Sequence, residues 1–288
     1  MSQQLSPEQR NAMISEYIKT PSGRRMLASS LSQPLRRNRD YSSVARKAFW
    51  VEPLADGALP YYDKDPSVTA YVIGEEGANI VSITKPKRVM FPLFEIAAQP
   101  EVPLVEVKSR RYDVIERNID LGRIAVNIAE DQYVFAVMEA AATDPAAVNP
   151  VIAVTGNLTS NALIDAVAAV QRNDIRVANV FMNAKDYSDI LKWDRDVFDP
   201  ETQRDVLKSG IMGNLWGANV IISRIVPEGS VYVCGEPEFF GRIPERVPLT
   251  IVSADDPKQR TIGFSIFENI GIGLYNPLGI VKLEITRV

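Results

Sequence analysis

The chain has 288 residues, of which 46% are apolar and 24% charged, with a formal net charge of −4. It has no histidine and a single cysteine, Cys234. These absences exclude Ser-His-Asp and Cys-His catalytic pairs, histidine metal sites, multi-cysteine zinc sites and an intrachain disulfide framework.

One cysteine fits a reducing compartment. The length suits one large domain or two modest ones with a real core. No run approaches the ~18 uninterrupted apolar residues of a membrane span. The first residues, MSQQLSPEQR, lack the basic-then-apolar layout of a secretory signal. Charge is unevenly divided. Residues 1–50 hold nine basic side chains (Arg10, Lys19, Arg24, Arg25, Arg36, Arg37, Arg39, Arg46, Lys47) against Glu8, Glu16 and Asp40, a surplus of +6 that leaves −10 on the remainder. A basic arm on an acidic body can bind nucleic acid or lie across a second copy of that body.

Residues 6–20 predict a short helix, with Ser6 as cap and Pro7 at its first position, stopped by Thr20-Pro21-Ser22-Gly23. The stretch that follows, to residue 50, is polar, basic and aperiodic, so it cannot build a core of its own. Pro53, Pro60, Pro66, Pro86, Pro92, Pro100 and Pro103 then punctuate strand-like pieces such as ALPYYDKD and RVMFPLFEIAA. Proline inside strands belongs at edges and in extended ribbons, and residues 51–95 read as one long projecting hairpin.

Residues 113–142 predict the longest helix. Leu121, Ile124, Ile128, Phe135, Met138 and Ala142 fall on one face, with Arg117, Arg123, Asn127, Glu130 and Asp131 opposite. Asp113 is the expected cap. A second helix is expected at 159–172, capped by Thr159 or Ser160, with a stripe of Leu163, Val167 and Val170. The strand RVANVFMNA and the short helix AKDYSDILKW come next, then a polar loop. The segment NLWGANVIISRIVPEGSVYVCG (residues 214–235) reads as a hairpin, with Trp216 and Gly217 at its entry and Pro227 and Gly229 at its corner. The rest is nearly all strand.

Three stretches carry a resemblance: the LWG–strand–PEG–strand pattern at 214–235, the strand ending in Asn-x-x-Asp-aromatic within 177–191, and the closing strands at 261–282 with their aromatic-x-Pro turn. In this order behind a spine helix, they resemble the major capsid protein of tailed bacteriophages, over nearly the whole chain. The resemblance implies an α+β, HK97-type capsid fold. Its parts would be an N-terminal arm (1–50), an extended hairpin loop (51–95), a peripheral domain with the spine helix (96–143), an axial domain (144–244) and C-terminal strands returning to the peripheral domain (245–288). It further implies a non-enzymatic subunit that self-assembles through pentamers and hexamers into an icosahedral shell around double-stranded DNA, in the virion, after assembly in the host cytoplasm. Scaffolding, portal and decoration proteins would be further partners, packaged DNA would be contacted non-specifically, and no membrane or cofactor would be involved. An encapsulin-like nanocompartment shell is the alternative with the same fold; a soluble, histidine-free α/β enzyme is the alternative of another class.

Expected inter-subunit residues are Arg36, Arg37 and Arg39 on the arm and Asp63, Lys64 and Asp65 on the ribbon. Trp216, Gly217, Pro227 and Gly229 shape the hairpin that gathers with its copies at the symmetry axes, and Trp216 is expected to be buried. Glu75-Glu76 and Asp255-Asp256 read as turn carboxylates rather than metal ligands, and Cys234 as a core residue. Some relatives join a hairpin Lys to an Asn, promoted by a Glu. Here Gln259 or Arg260 stands where that Asn is wanted, although Glu268 sits near the promoter position, so a non-covalent shell is expected. With only about fifty residues before the hairpin, scaffolding is a separate protein, or the chain is the mature form, or assembly needs none.

Overall fold

The structure is a computed structural model that describes residues 43–64, 87–109, 114–144, 149–193, 213–256 and 258–287. The helix expected at 6–20, most of the arm and the tip of the long hairpin lie outside these residues. In chain order a 3-10 turn (Ala45–Lys47) precedes strands β1 (Trp50–Pro53), β2 (Tyr61–Lys64), β3 (Lys87–Met90), β4 (Leu93–Ala98) and β5 (Glu101–Pro103). Helices α1 (Leu104–Ser109) and α2 (Val114–Thr143) follow, then β6 (Ile152–Thr155), α3 (Ser160–Gln171), β7 (Val177–Met182) and α4 (Ala184–Ile190). After β8 (Asn214–Leu215), β9 (Ala218–Ile222) and β10 (Ser230–Gly235) come the short α5 (Pro237–Phe240) and two long strands, β11 (Gly241–Ser253) and β12 (Thr261–Gly271). β13 (Gly273–Leu274) and β14 (Ile280–Thr286) close the chain.

The described residues divide into two compact units, one within 97–125 and 251–266, the other within 43–96, 126–250 and 267–287. In the first, β5 pairs antiparallel with the start of β12, Val102 opposite Ile262. The turn before β12 is held by its carboxylates: Asp256 accepts the Lys258 N–H at 2.8 Å and Asp255 that of Gly263 at 3.3 Å. These two residues are turn builders, as expected.

The second unit is organised on a six-stranded sheet of order β6-β14-β10-β7-β9-β8. α3 lays Leu163, Ala166 and Val170 on it, against a core that includes Val180, Val231, Val233, Val281 and Leu283. Thr159 caps α3, its Oγ1 accepting the Ala162 N–H. β2 and β3 form a separate antiparallel ribbon, Tyr61 opposite Met90. β1 pairs parallel with β11, so Trp50–Pro53 belongs to a second six-stranded sheet, of order β1-β11-β12-β4 with β5 and β13 off this path, rather than to the ribbon.

Three expectations need correction. Residues 214–235 are not one hairpin: β7 lies between β9 and β10, parallel to the first and antiparallel to the second. The tight hairpin is the smaller one between β8 and β9, at Trp216-Gly217, while Pro227 and Gly229 turn the chain across β7. Both strands are apolar, and nothing local distinguishes adjacent pairing from pairing with a third strand placed between them. Second, of the C-terminal strands expected to return to residues 96–143, β12 pairs with β5, but β14 lies in the other sheet, between β6 and β10. Third, the buried face of α2 within the second unit is Val126, Glu130, Val134 and Met138, joined by Asp131, Phe135 and Ala142. The series 126, 130, 134, 138 and 142 advances by one i,i+4 ridge, so two carboxylates expected on the outer face lie inside, and Leu121 is 45% exposed.

Candidate functional site

Two sequence motifs meet in space. Asn183 ends β7 and caps α4, its Oδ1 accepting the Lys185 N–H at 3.1 Å while its Nδ2 donates to the Val226 carbonyl at 2.8 Å. Three residues on, fully buried Asp186 accepts the Gly229 N–H at 3.0 Å and an Arg287 N–H at 2.6 Å. Arg287 also reaches Asp189 at 2.9 Å. Burial works against the Asp189 charge, but the Leu158 N–H, Lys192 and Arg287 outweigh it and hold the carboxyl below its ordinary range. Gly229 sits at φ +80°, and a Cβ there would fall 2.7 Å from the Ile285 carbonyl oxygen, so only glycine fits. The Asn-x-x-Asp and Pro-Glu-Gly patterns are thus one hydrogen-bonded corner, closed by the last strand.

The Leu-Trp-Gly pattern has a different task. Trp216 (φ +51°) and Gly217 (φ +83°) make the two-residue turn from β8 to β9, the succession of left-handed residues that such hairpins need. Trp216 is half-buried rather than buried as expected, and stacks on Trp193 with ring centroids 6.3 Å apart. Trp193 Nε1 donates to the Leu158 carbonyl at 2.8 Å.

The ribbon base is polar and aromatic. Arg88 Nε lies 2.8 Å from Asp63 Oδ1, both side chains exposed, and the guanidinium rests 5.9 Å from the Tyr61 ring centroid. Arg242 on β11 pairs with Glu52 at 2.7 Å and covers the Tyr62 ring at 5.3 Å. Burial, followed by the charge of Glu52, pushes the Tyr62 hydroxyl up to about 12. An open cleft of about 480 Å³ lies here, lined by Tyr62, Asp63, Phe239, Arg242 and Tyr275 among others. Trp50 (52% exposed), Leu59 (61%), Tyr61 (47%) and Met90 (52%) leave large apolar side chains in solvent on or beside the ribbon strands.

The segment that enters the body from residues 1–42 is anchored from three sides. Asp131 on α2 accepts Ser43 Oγ (2.7 Å) and the N–H groups of Val44 and Ala45 (both 3.1 Å). Asn179 on β7 donates to the Lys47 carbonyl at 2.8 Å. Arg46 meets three carboxylates: Glu130 on α2 at 2.7 Å, Glu245 on β11 at 2.9 Å and Glu268 on β12 at 3.0 Å.

Of the expected inter-subunit residues, Asp63 has an in-chain partner in Arg88, only the backbone of Lys64 is described, and Arg36, Arg37, Arg39 and Asp65 lie outside the described residues, as do Glu75 and Glu76. Cys234 is fully buried and burial pushes its thiol well up, which makes it a core residue and not a nucleophile. Among the described residues no group of three Asp, Glu or Cys side chains is placed to hold a metal. The sequence reading missed the Arg46 cluster, counting Arg46 only as one of the arm's charges. The available signal was the pair Glu130-Asp131 interrupting an i,i+4 series of apolar residues.

The model of one family, described as phage capsid protein, matches residues 105–283, well over half of the chain. No curated protein matches the sequence. Among solved structures, the capsid of the cyanophage P-SCSP1u is similar at a TM-score of 0.68 and 12% identity, covering 90% of this chain and 92% of that one. The mature capsid of bacteriophage PhiM1 is similar at 0.66 and 11%, covering 90% and 91%. The capsid of an empty GTA particle is similar at 0.66 and 20%, covering 93% and 98%.

Proposed function

Because this chain belongs to the phage capsid protein family and has the HK97-type fold, we propose that it is the major, self-assembling subunit of an icosahedral shell around the double-stranded DNA of a tailed phage. Family membership makes it a structural protein of the virion capsid that assembles with copies of itself. The proposal adds the pentamer and hexamer capsomers, assembly in the host cytoplasm, portal, scaffolding and decoration partners, and the absence of catalysis. The observation that carries it is the family match over both long strands and the spine helix α2. The ribbon base supports it: Tyr61 and Met90 on a two-stranded sheet present exposed apolar surface of the kind a neighbouring molecule buries.

In this reading the sheet β6-β14-β10-β7-β9-β8 is the axial domain, and its corner at Asn183, Asp186 and Gly229 keeps that domain rigid. The arm charges Arg36, Arg37 and Arg39 cross to a neighbouring acidic body or the packaged DNA, and Asp63, Lys64 and Asp65 face a subunit boundary. The shell is non-covalent, since Gln259 or Arg260 replaces an acceptor Asn and Glu268 is engaged by Arg46. Boiled particles run on a denaturing gel test this directly: single-subunit bands support it, and a ladder of multimers overturns it. Electron microscopy of particles from phage-producing cells tests the container itself, with packaged DNA as the expected content and enzyme cargo as the contradicting one.

A further inference from the structure

A groove of about 390 Å³ opens beside the C-terminal half of α2. Its walls are apolar: Val137 and Ala141 on α2, Phe91 between β3 and β4, Ile272, Leu274 on β13, and Pro277. Asp144, directly after the helix, is the one charged residue among the described residues that line it. Val137 and Ala141 follow Glu130 by seven and eleven positions, which sets all three on one stripe of the helix. The groove therefore continues the face of α2 that receives Arg46.

The arm enters the body close by. Ser43 is bonded to Asp131, and Val137 and Ala141 lie roughly 9 and 15 Å further along the helix axis. Passing round the helix adds less than its diameter of about 10–12 Å. Tyr41, two positions before Ser43, spans at most ~7 Å and falls short. Going back along the sequence, the next apolar side chains are Leu35 and Pro34, which span up to about 27 and 30 Å and can arrive. Charge agrees with reach. α2 has no basic residue in its last turn, so its own side chains leave the negative end of the helix dipole uncompensated, and Asp144 adds a carboxylate there. Arg36 and Arg37 come directly after Leu35.

We propose that this groove is a seat for the chain's own N-terminal arm: Pro34 and Leu35 fill it, and Arg36 and Arg37 rest on the C-terminal end of α2 beside Asp144. The seat stands on the single, unassembled chain and does not require the shell. Its consequence does rest on the shell reading: an arm seated on its own body is withheld from a second copy until that copy competes for it.

Disulfide trapping in the purified full chain, dispersed and treated with oxidised glutathione, is the test. Leu35→Cys is combined with Ala141→Cys in the groove, and the only native thiol, Cys234, is fully buried and stays out of the reaction. The control pairs Leu35→Cys with Gln132→Cys, an exposed site nearer the arm's entry but outside the groove. Seating raises the effective concentration of one thiol at the other, so the 35–141 link is expected at monomer mass and at least about tenfold faster than the 35–132 link. Reversing Arg36 and Arg37 to Glu should slow it at least about fivefold. Equal rates at 141 and 132, or a rate unchanged by the charge reversal, overturn the proposal. A 35–141 link found only at dimer mass overturns it too, because the groove then belongs to a second copy's arm. If Ala141→Cys does not fold, Val137→Cys serves with the same outcomes.

Discussion

Lys282 Nζ lies 2.6 Å from Glu139 Oε1, and Tyr232 donates its hydroxyl to the other oxygen of the same carboxylate. Lys282, on β14, is 6% exposed, while the Glu139 side chain is 41% exposed. One ion pair thus ties the C-terminal half of α2 to the middle of the main sheet. Burial opposes the Glu139 charge, yet Lys282 and Tyr232 hold the carboxyl below its ordinary value.

Removing one partner of such a pair costs more than the pair is worth, because the other charge stays buried. Glu139→Ala is expected to lose about 2–3 kcal/mol, toward the low end for buried pairs because the carboxylate is partly solvated. Lys282→Met in the same chain should recover more than half of this. A urea double-mutant cycle measures both, and additive losses would contradict the coupling.

Arg287 neutralises two carboxylates, Asp186 and Asp189, that are almost without exposure. Arg287→Leu is expected to cost about 3 kcal/mol at pH 7. The sign with pH follows from Asp189: a lowered carboxyl contributes stability above its ordinary value near 3.8, and this is lost as pH falls. The gap between variant and wild type should therefore narrow below about pH 4. Melting temperatures across pH check it, and a constant gap would remove the electrostatic account.

The two turn glycines should separate cleanly. At Gly217 an added Cβ has open space, so Gly217→Ala carries only left-handed strain of about 1–2 kcal/mol. At Gly229 the same strain is joined by contact with the Ile285 carbonyl, and in a rigid corner the cost should exceed that of Gly217→Ala by at least about 1 kcal/mol. Equal denaturation midpoints would show that the corner yields.

Trp216→Ala is expected to cost about 1–2 kcal/mol, for a half-buried ring that loses one stacking partner. A fully buried indole would cost roughly 3–5 kcal/mol. Trp193 fluorescence, freed of its neighbour, should change in the same variant; an unaltered spectrum would speak against the stack.

Local patterns were legible wherever the information was local. A cap at Thr159 or Ser160, the extent of α2 and a turn at Gly229 are properties of a few neighbouring side chains, and the structure has Thr159 as the cap; Gly217, read as a hairpin entry, is instead part of the β8–β9 turn. What could not be read was pairing between distant segments. β7 entering between β9 and β10, and β14 joining the main sheet, depend on contacts that no short window of residues contains. Glu130 was misplaced for the same reason. A charged residue on a helix reads as outward until its partner is known, and Arg46 lies 84 residues upstream. The family resemblance succeeded where periodicity could not, because an ordered set of motifs carries long-range information.

Removing the segment before Ser43 should separate folding from assembly. Since Ser43, Val44 and Ala45 are bonded to Asp131, a chain lacking residues 1–42 is expected to keep its melting temperature within about 3 °C. It is also expected to fail to close particles. Sedimentation and calorimetry read the two properties independently, and normal particles would contradict the role given to the arm.

Electron microscopy of the purified full-length protein at assembly concentrations bears most directly on the central claim. Closed particles with icosahedral symmetry, and this chain repeated at five-fold and six-fold positions, are the predicted result. A stable monomer that remains dispersed over the same range of concentration and salt would contradict it.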